Sequence, residues 1–301
     1  MTAQTTNVTK EPIGQARTGQ DARDQLLSMM PVTERQIELA GISTAVLEGG
    51  DGPPLVLLHG PSVYAAVWFQ VVPQLVRSHR IVAPDLPGHG NSVVPGGTID
   101  ANRVLDWLGA LIDRTCPSPP ALVGQILGGA IAARFASRNS GRLSQLVLDD
   151  TLGLVPFEPA PAFDRALMEF TGSPSEETHD RLWRQCAHDL HRMRGRMGAG
   201  WELIRAYTVD RARTASLHAT QQSLMQQFGL PPISPSSLEG ITAPTALIWG
   251  RHNLAIPLAV AEAARERYRW PLHIIEDSAD DPPVEQPVAF LKALDCVLGR
   301  R

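Results

Sequence analysis

The chain predicts an α/β fold, with a mostly parallel central sheet flanked by helices and a helical lid. Three observations predict it. Short apolar runs alternate with segments of helical period, the pattern of strand–helix–strand units covering a sheet on both faces. Several runs, Pro54-Leu55-Val56-Leu57-Leu58 among them, are apolar on both faces, as a doubly covered parallel strand requires. One block, residues 156–235, contains helical segments and no strand-like run, and so reads as a lid over the sheet's carboxyl edge.

The remaining elements follow in order. Residues 1–25 are polar, rich in Thr, Gln and Gly, and are expected to form a flexible tail. Residues 35–39 and 42–47 read as strands, followed by turn chemistry at Gly49-Gly50-Asp51-Gly52-Pro53. The strand Pro54–Leu58 ends at His59-Gly60-Pro61-Ser62. A helix is expected over 65–78, a buried strand over 80–85 and turns over 86–92. Val104, Leu105, Leu108, Leu111 and Ile112 give residues 99–114 a helical period. Within 120–134 a short apolar run ends in Gly124, a tight turn follows, and an alanine-rich helix begins. A strand at 143–148 precedes the lid, whose helices are expected at 176–193, 201–213 and 219–228. Strands at 244–250 and 271–275 alternate with helices at 258–268 and 288–298. The α/β core therefore comprises 26–155 and 236–301.

Composition excludes several classes. With 301 residues, 43% apolar and 19% charged, the chain is globular, as one domain with an insertion or as two domains. A net charge of −4 gives no reason to expect a nucleic-acid or acidic-membrane partner. No apolar run approaches the roughly 20 residues of a membrane span. The N-terminus lacks the apolar segment of a secretory signal, so a cytoplasmic location is expected. Cys116, Cys186 and Cys296 lie far apart without C-x-x-C spacing, and buried structural thiols are expected rather than a disulfide or zinc framework.

The strand, sharp turn and helix around Gly124 form the context of a nucleophile elbow, whose pattern is G-x-S-x-G. Here it reads Gly124-Gln125-Ile126-Leu127-Gly128, with isoleucine at the nucleophile position. Together with LVLLHGP (55–61), VAPDLPGHGNS (82–92), ALIWGRHN (246–253) and the ending DDPPVEQPVAFLKAL, this stretch resembles the α/β-hydrolase superfamily, in its lidded esterase, epoxide-hydrolase and C–C-hydrolase-like branches. The resemblance runs from about residue 33 onward. It implies a Ser-Asp-His triad, and the matched positions hold Ile126, Asn253 and Asp280. Isoleucine has no nucleophilic atom, asparagine carries no charge for an imidazolium, and aspartate is a poor base unless burial raises its pKa from about 3.9. A serine esterase of the usual mechanism is therefore excluded on chemical grounds.

The resemblance also implies oxyanion donors at the backbone of Leu127 and of Pro61 or Ser62, of which only Ser62 has an N–H. Asp280 becomes the candidate acid or base, Gln125 and Asn253 candidate polar anchors, and Ile126 a pocket floor. Tyr64, Trp68, Trp183, Trp201 and Met193 are candidate pocket or lid residues, although aromatics at helical spacing are more often plain core. Asp150 is either a pocket carboxylate or a strand-end residue bonded to backbone, the second weighing more. His252 reads as a surface residue, and His59 and Asp85 as shapers of loops. Asp277, Asp280 and Asp281 look like metal ligands but have no matching histidine in reach, so no metal and no cofactor are expected.

Two functions fit. One is a non-serine enzyme acting on an apolar, carbonyl-containing small molecule by elimination, cyclisation, isomerisation or water addition. The other is an inactive pseudo-hydrolase that binds or senses a small ligand. Oligomeric state stays open.

Overall fold

The computed structural model describes residues 18–299. The chain enters through α1 (Gly19–Ser28), closed by a reciprocal cap in which Thr18 Oγ1 accepts from Asp21 N–H at 3.1 Å and Asp21 accepts from Thr18 N–H at 2.9 Å. This corrects the expected flexible tail for residues 18–25, where Ala22 and Arg23 are buried. The earlier part of the expected tail lies outside the described residues.

A hairpin of β1 (Thr33–Leu39) and β2 (Ile42–Gly49) leads to β3 (Pro54–Leu58). The helix expected over 65–78 is instead a 3₁₀ turn, Ala65–Gln70, followed by the short α2 (Val72–Leu75). Pro73 explains the break, because its ring clashes with the carbonyl four residues back and it has no N–H to give. Next come β4 (Arg80–Pro84), α3 (Ala101–Thr115), β5 (Ala121–Gln125), α4 (Leu127–Asn139) and β6 (Gln145–Asp149).

An all-helical insertion then intervenes: α5 (Pro161–Gly172), α6 (Glu176–Cys186), α7 (Leu190–Met197), α8 (Ala199–Ala212) and α9 (Ala215–Leu224), closed by a π turn, Met225–Gly229. The helix expected over 176–193 is two helices, because Asp189 caps a new one by accepting from Arg192 N–H at 2.9 Å. The chain returns through α10 (Pro235–Glu239), β7 (Thr245–Gly250), α11 (Leu258–Tyr268), β8 (Leu272–Ile275), α12 (Pro282–Glu285) and α13 (Pro287–Val297).

The eight strands order as β1-β2-β4-β3-β5-β6-β7-β8, antiparallel only where β2 meets β1 and β4. Side-chain alternation splits the core into two layers. Val56 and Leu58 of β3 pack with Trp107, Leu108 and Ile131 on one face, while Leu55 and Leu57 pack with Trp68 and Phe290 on the other. Two glycines bring β5 and α4 together. A side chain on Gly124 would lie 2.5 Å from the Gly128 carbonyl oxygen, and one on Gly128 would collide with the Leu58 carbonyl. Among the described residues no helix is long and apolar enough to cross a membrane.

Candidate active site

The loops after β3, β5, β6, β7 and β8 converge beneath the helical insertion and enclose a cavity of about 720 Å³. Carboxyl ends of parallel strands are where open α/β sheets place their ligands. Apolar side chains from the insertion, such as Phe163, Leu167, Phe170 and Leu182, form the roof.

At the floor, Ile126 joins β5 to α4 with φ 47° and ψ −104°. A β-branched residue rarely occupies this region, at a cost of about 1–3 kcal/mol. The backbone around it holds it there. Ile126 N–H donates to the Asp149 carbonyl at 2.9 Å, and its own carbonyl accepts from Ala130 and Leu152 at 3.1 Å each. The sharp strand-to-helix turn is therefore held with isoleucine at its apex. The Ile126 side chain leans on Gly60, where a Cβ would lie 3.3 Å from Ile126 Cδ1.

Leu127 opens α4, so no intrahelical carbonyl can take its N–H. Its side chain is buried in the core, and it does not line the cavity. Pro61 and Ser62 line the cavity opposite, Ser62 in a left-handed conformation with φ 59°.

The chemistry concentrates on carboxyl groups. Asp280 and Asp281, between β8 and α12, are both buried and both line the cavity. Burial, together with the neighbouring charges of Asp281 and Glu285, pushes the Asp280 carboxyl well above its usual range. Burial likewise raises Asp281 to about 8, against the opposing hydrogen bond from Gln125. That bond runs from Gln125 Nε2 to Asp281 Oδ1 at 2.6 Å and ties the elbow to the loop after β8. Asp280 N–H donates to the Cys186 carbonyl at 3.2 Å, which links the same loop to the insertion.

Behind them lie three more buried acids. Glu285 accepts from Ala279 N–H at 2.7 Å and His188 N–H at 2.6 Å, and burial raises its pKa. Asp150 accepts from Gly250 N–H at 3.1 Å and from Asn253 Nδ2 at 2.7 Å, yet burial and Asp149 still raise it. Neither oxygen of the Asp149 carboxyl has a partner among the described residues, and burial pushes its pKa far up. Burial thus favours the protonated form of these acids, most strongly at Asp149, Asp150 and Asp280. A carboxylic acid kept neutral in an apolar site can donate a hydrogen bond to a carbonyl or developing oxyanion.

Other buried polar atoms in the cavity wall lack partners among the described residues: Tyr64 Oη, His89 Nε2 and Thr208 Oγ1. Burial lowers the His89 pKa to about 3, so its imidazole is neutral.

The cavity thus gathers Pro61, Ser62, Tyr64, Gln125, Ile126, Trp183 and Asp280 from the residues singled out in the sequence. Others are placed elsewhere. Trp68 is fully buried in the core against Phe290, with ring centroids 6.2 Å apart. Trp201 and Met193 belong to the same layer. Asn253 and Asp150 bond to each other below the floor, and the Asn253 side-chain carbonyl accepts from Ile256 N–H at 2.7 Å. These two hold loops and do not face the cavity: Asn253 is corrected from a polar anchor, and Asp150 takes the weightier of its two readings, a strand-end residue bonded to backbone. Among the cysteines, Cys296 is exposed, contrary to the expected burial, whereas Cys186 lines the cavity beside Asp280.

His59 and Asp85 shape loops, as their positions suggested. His59 Nε2 accepts from Leu86 N–H at 2.9 Å, and Asp85 accepts from Ala65 N–H at 2.7 Å and Asn91 N–H at 2.8 Å. Sequence reasoning missed Asp281 as the partner of Gln125, and it missed Asp149. The aspartate pairs Asp149-Asp150 and Asp280-Asp281, each directly after an apolar strand or its loop, were the available signal.

A profile of the alpha/beta hydrolase fold family matches residues 53–280. The chain is 26% identical over 271 residues to a pimeloyl-[acyl-carrier protein] methyl ester esterase of Aeromonas hydrophila, covering 86% of this chain and 100% of that protein. It is 25% identical over 293 residues to a 2-hydroxy-6-oxo-6-(2'-aminophenyl)hexa-2,4-dienoic acid hydrolase of Metapseudomonas resinovorans, covering 89% and 91%. A meta-cleavage product hydrolase from Pseudomonas fluorescens superimposes with a TM-score of 0.73 at 23% identity, covering 88% of this chain and 97% of that one.

Proposed function

Because the chain belongs to the α/β-hydrolase family, the identity of its three triad positions decides its chemistry, and we propose that it is a non-serine enzyme acting on an apolar, carbonyl-containing small molecule. The observation that carries this reading is the Asp280 carboxyl, buried on the cavity floor among neighbouring acids that push its pKa well above the usual range. A ligand carbonyl seated between Ser62 and Asp280 would accept a hydrogen bond from the Asp280 O–H. Polarised in this way, it becomes a centre for proton transfer at the neighbouring carbon. Asp281, with a pKa of about 8, sits near the operating range of a group that exchanges a proton at neutral pH. Isomerisation, elimination and water addition all need this and no serine nucleophile. The apolar helical lid fits a greasy substrate body, and the relatives' names, an ester and a keto-acid, agree with a carbonyl class. The reading places the protein in the cytoplasm, with no cofactor.

A second reading is a ligand-binding pseudo-hydrolase, favoured by one observation: the Ile126 side chain occupies the floor against Gly60, in the strained elbow.

Incubation with a nitrophenyl ester and a fluorophosphonate probe tests the absence of serine chemistry, and neither burst nor label is expected. Labelling of any serine in the cavity would overturn it. A panel of enones and keto-acids is then followed by NMR for turnover. Asp280→Asn should lower turnover by about 10²–10⁴-fold while ligand affinity persists. Undiminished turnover would remove Asp280 from the reaction, and binding without turnover in the wild type would establish the second reading.

A further inference from the structure

The acidic triplet Asp277, Asp280 and Asp281 does not stay together in space. Asp280 and Asp281 turn into the cavity, whereas Asp277 is exposed on the outer side of the same loop, with φ 53°. There it meets two imidazoles that the sequence keeps far away, His188 from the link between α6 and α7 and His252 from the loop after β7. We propose that His188, His252 and Asp277 form a surface site for one divalent transition-metal ion of the zinc class, joining the helical insertion to the sheet.

One ligand atom from each residue lies within 4.8 Å of the others. Zinc binds imidazole nitrogen and carboxylate oxygen at about 2.0–2.2 Å in a tetrahedron, so two of its ligand atoms are about 3.4 Å apart. Exposed side chains close the remaining gap by small rotations. The two imidazole rings stack, with centroids 4.1 Å apart and planes 17° from parallel, and both are exposed, so each can turn until its ring plane takes in the ion. Two imidazoles and one carboxylate suit zinc, cobalt, nickel or copper, whereas magnesium and calcium prefer all-oxygen sets.

The backbones are fixed before any ion arrives. His188 N–H donates to Glu285 at 2.6 Å, and the same carboxyl accepts from Ala279 N–H at 2.7 Å. His252 N–H donates to the Ser278 carbonyl at 2.9 Å, and the Asp277 carbonyl accepts from Gln286 Nε2 at 2.9 Å. All three ligands therefore hang from one hydrogen-bonded knot, Asp277 to Gln286. A preformed site gives up little conformational entropy when it binds. Arg192 is the local competitor, 3.7 Å from the Asp277 carboxylate in an exposed ion pair. The site lies apart from the cavity but shares its loop. An ion there would hold His188, two residues after the cavity-lining Cys186, against the loop of Asp280.

Chelator-treated, untagged full-length protein is titrated with Zn²⁺ by calorimetry and with Co²⁺ by visible absorption. One ion per chain is expected. His188→Ala, His252→Ala and Asp277→Asn should each weaken binding at least about tenfold. Arg192→Ala should tighten it, and the exposed neighbour variant His191→Ala should leave it unchanged. Zn²⁺ should also slow proteolysis of the insertion in the wild type and not in His252→Ala. Circular dichroism of each variant separates lost binding from lost folding. Absence of saturable binding in the folded wild type, or one-to-one binding that survives all three substitutions, overturns the proposal. Neither readout depends on turnover, so the site can fail while the reading of the cavity stands.

Discussion

Two buried groups of carboxyls sit at the carboxyl edge of the sheet, only the second reaching the cavity, and their surroundings differ in one respect, the presence of a cation. Asp85 is fully buried, and Arg23, also fully buried, reaches it from α1 at 2.8 Å. Arg23 Nε also donates to Glu34 at 3.0 Å, and its guanidinium lies 5.0 Å from the centre of the Tyr64 ring. Burial opposes the Arg23 charge, but Asp85, Tyr207 and Glu34 outweigh it and hold the guanidinium charged. On the other side, Asp149, Asp150, Asp280, Asp281 and Glu285 are buried together, and none has an ion-pair partner among the described residues. The first group is an ionised strut that binds α1 to the sheet. In the second, burial pushes every carboxyl toward its protonated form, because an unpaired buried charge is far costlier than a neutral acid. Asp280 therefore adds an acid to a group of acids, each pushed toward its protonated form.

The comparison breaks first at Arg23. Removing one partner of a fully buried pair leaves the other charge stranded, so Arg23→Met should cost about 3–5 kcal/mol in urea unfolding. Asp85→Asn in the same chain should recover part of that. A cost below about 1 kcal/mol for the single variant would mean that α1 is no strut.

A smaller effect of opposite sign is expected at Asp149. Its carboxyl has no hydrogen-bond partner among the described residues, and replacement by an apolar group of similar size removes that penalty. Asp149→Val should stabilise by about 1–3 kcal/mol in the same assay. Destabilisation would show that Asp149 has a partner in solution.

The most diagnostic effect is in pH dependence. Asp281 has a folded pKa of about 8, above the unfolded value of about 3.9. Its neutral form thus contributes stability that is fully present below the unfolded value and is lost as pH rises through about 8. His59 and His89 have the opposite sign. Burial lowers them to about 4 and about 3, so they hold their contribution above the ordinary histidine value of about 6.5 and lose it as pH falls. Thermal unfolding should therefore weaken toward both ends, and Asp281→Asn should flatten the alkaline limb alone. An unchanged alkaline limb in that variant would locate the loss elsewhere.

Much of the architecture was legible because burial writes itself into residue type. Val56 and Leu58 face one layer and Leu55 and Leu57 the other, so β3 had to be apolar throughout. The elbow was legible from Gly124 and Gly128, whose close backbone approach admits no side chain. The site was less so. Gln125 and Asp281 are 156 residues apart, and no local pattern announces a hydrogen bond over that distance. Arg23 was hidden because a guanidinium in a polar stretch reads as solvated, although Thr18 and Asp21 at capping spacing marked the helix. Asn253 turns to Asp150, because an amide can donate to the carboxyl it meets there.

The central claim is that the cavity floor holds its protons at neutral pH, and carbon-13 NMR of labelled aspartate side chains measures it directly. The account predicts that Asp280 and Asp281, assigned through their asparagine variants, carry protonated carboxyl shifts at pH 7, with Asp281 releasing its proton near pH 8. Carboxylate shifts for both residues at pH 7, with titration in the ordinary range around 3.9, would contradict it.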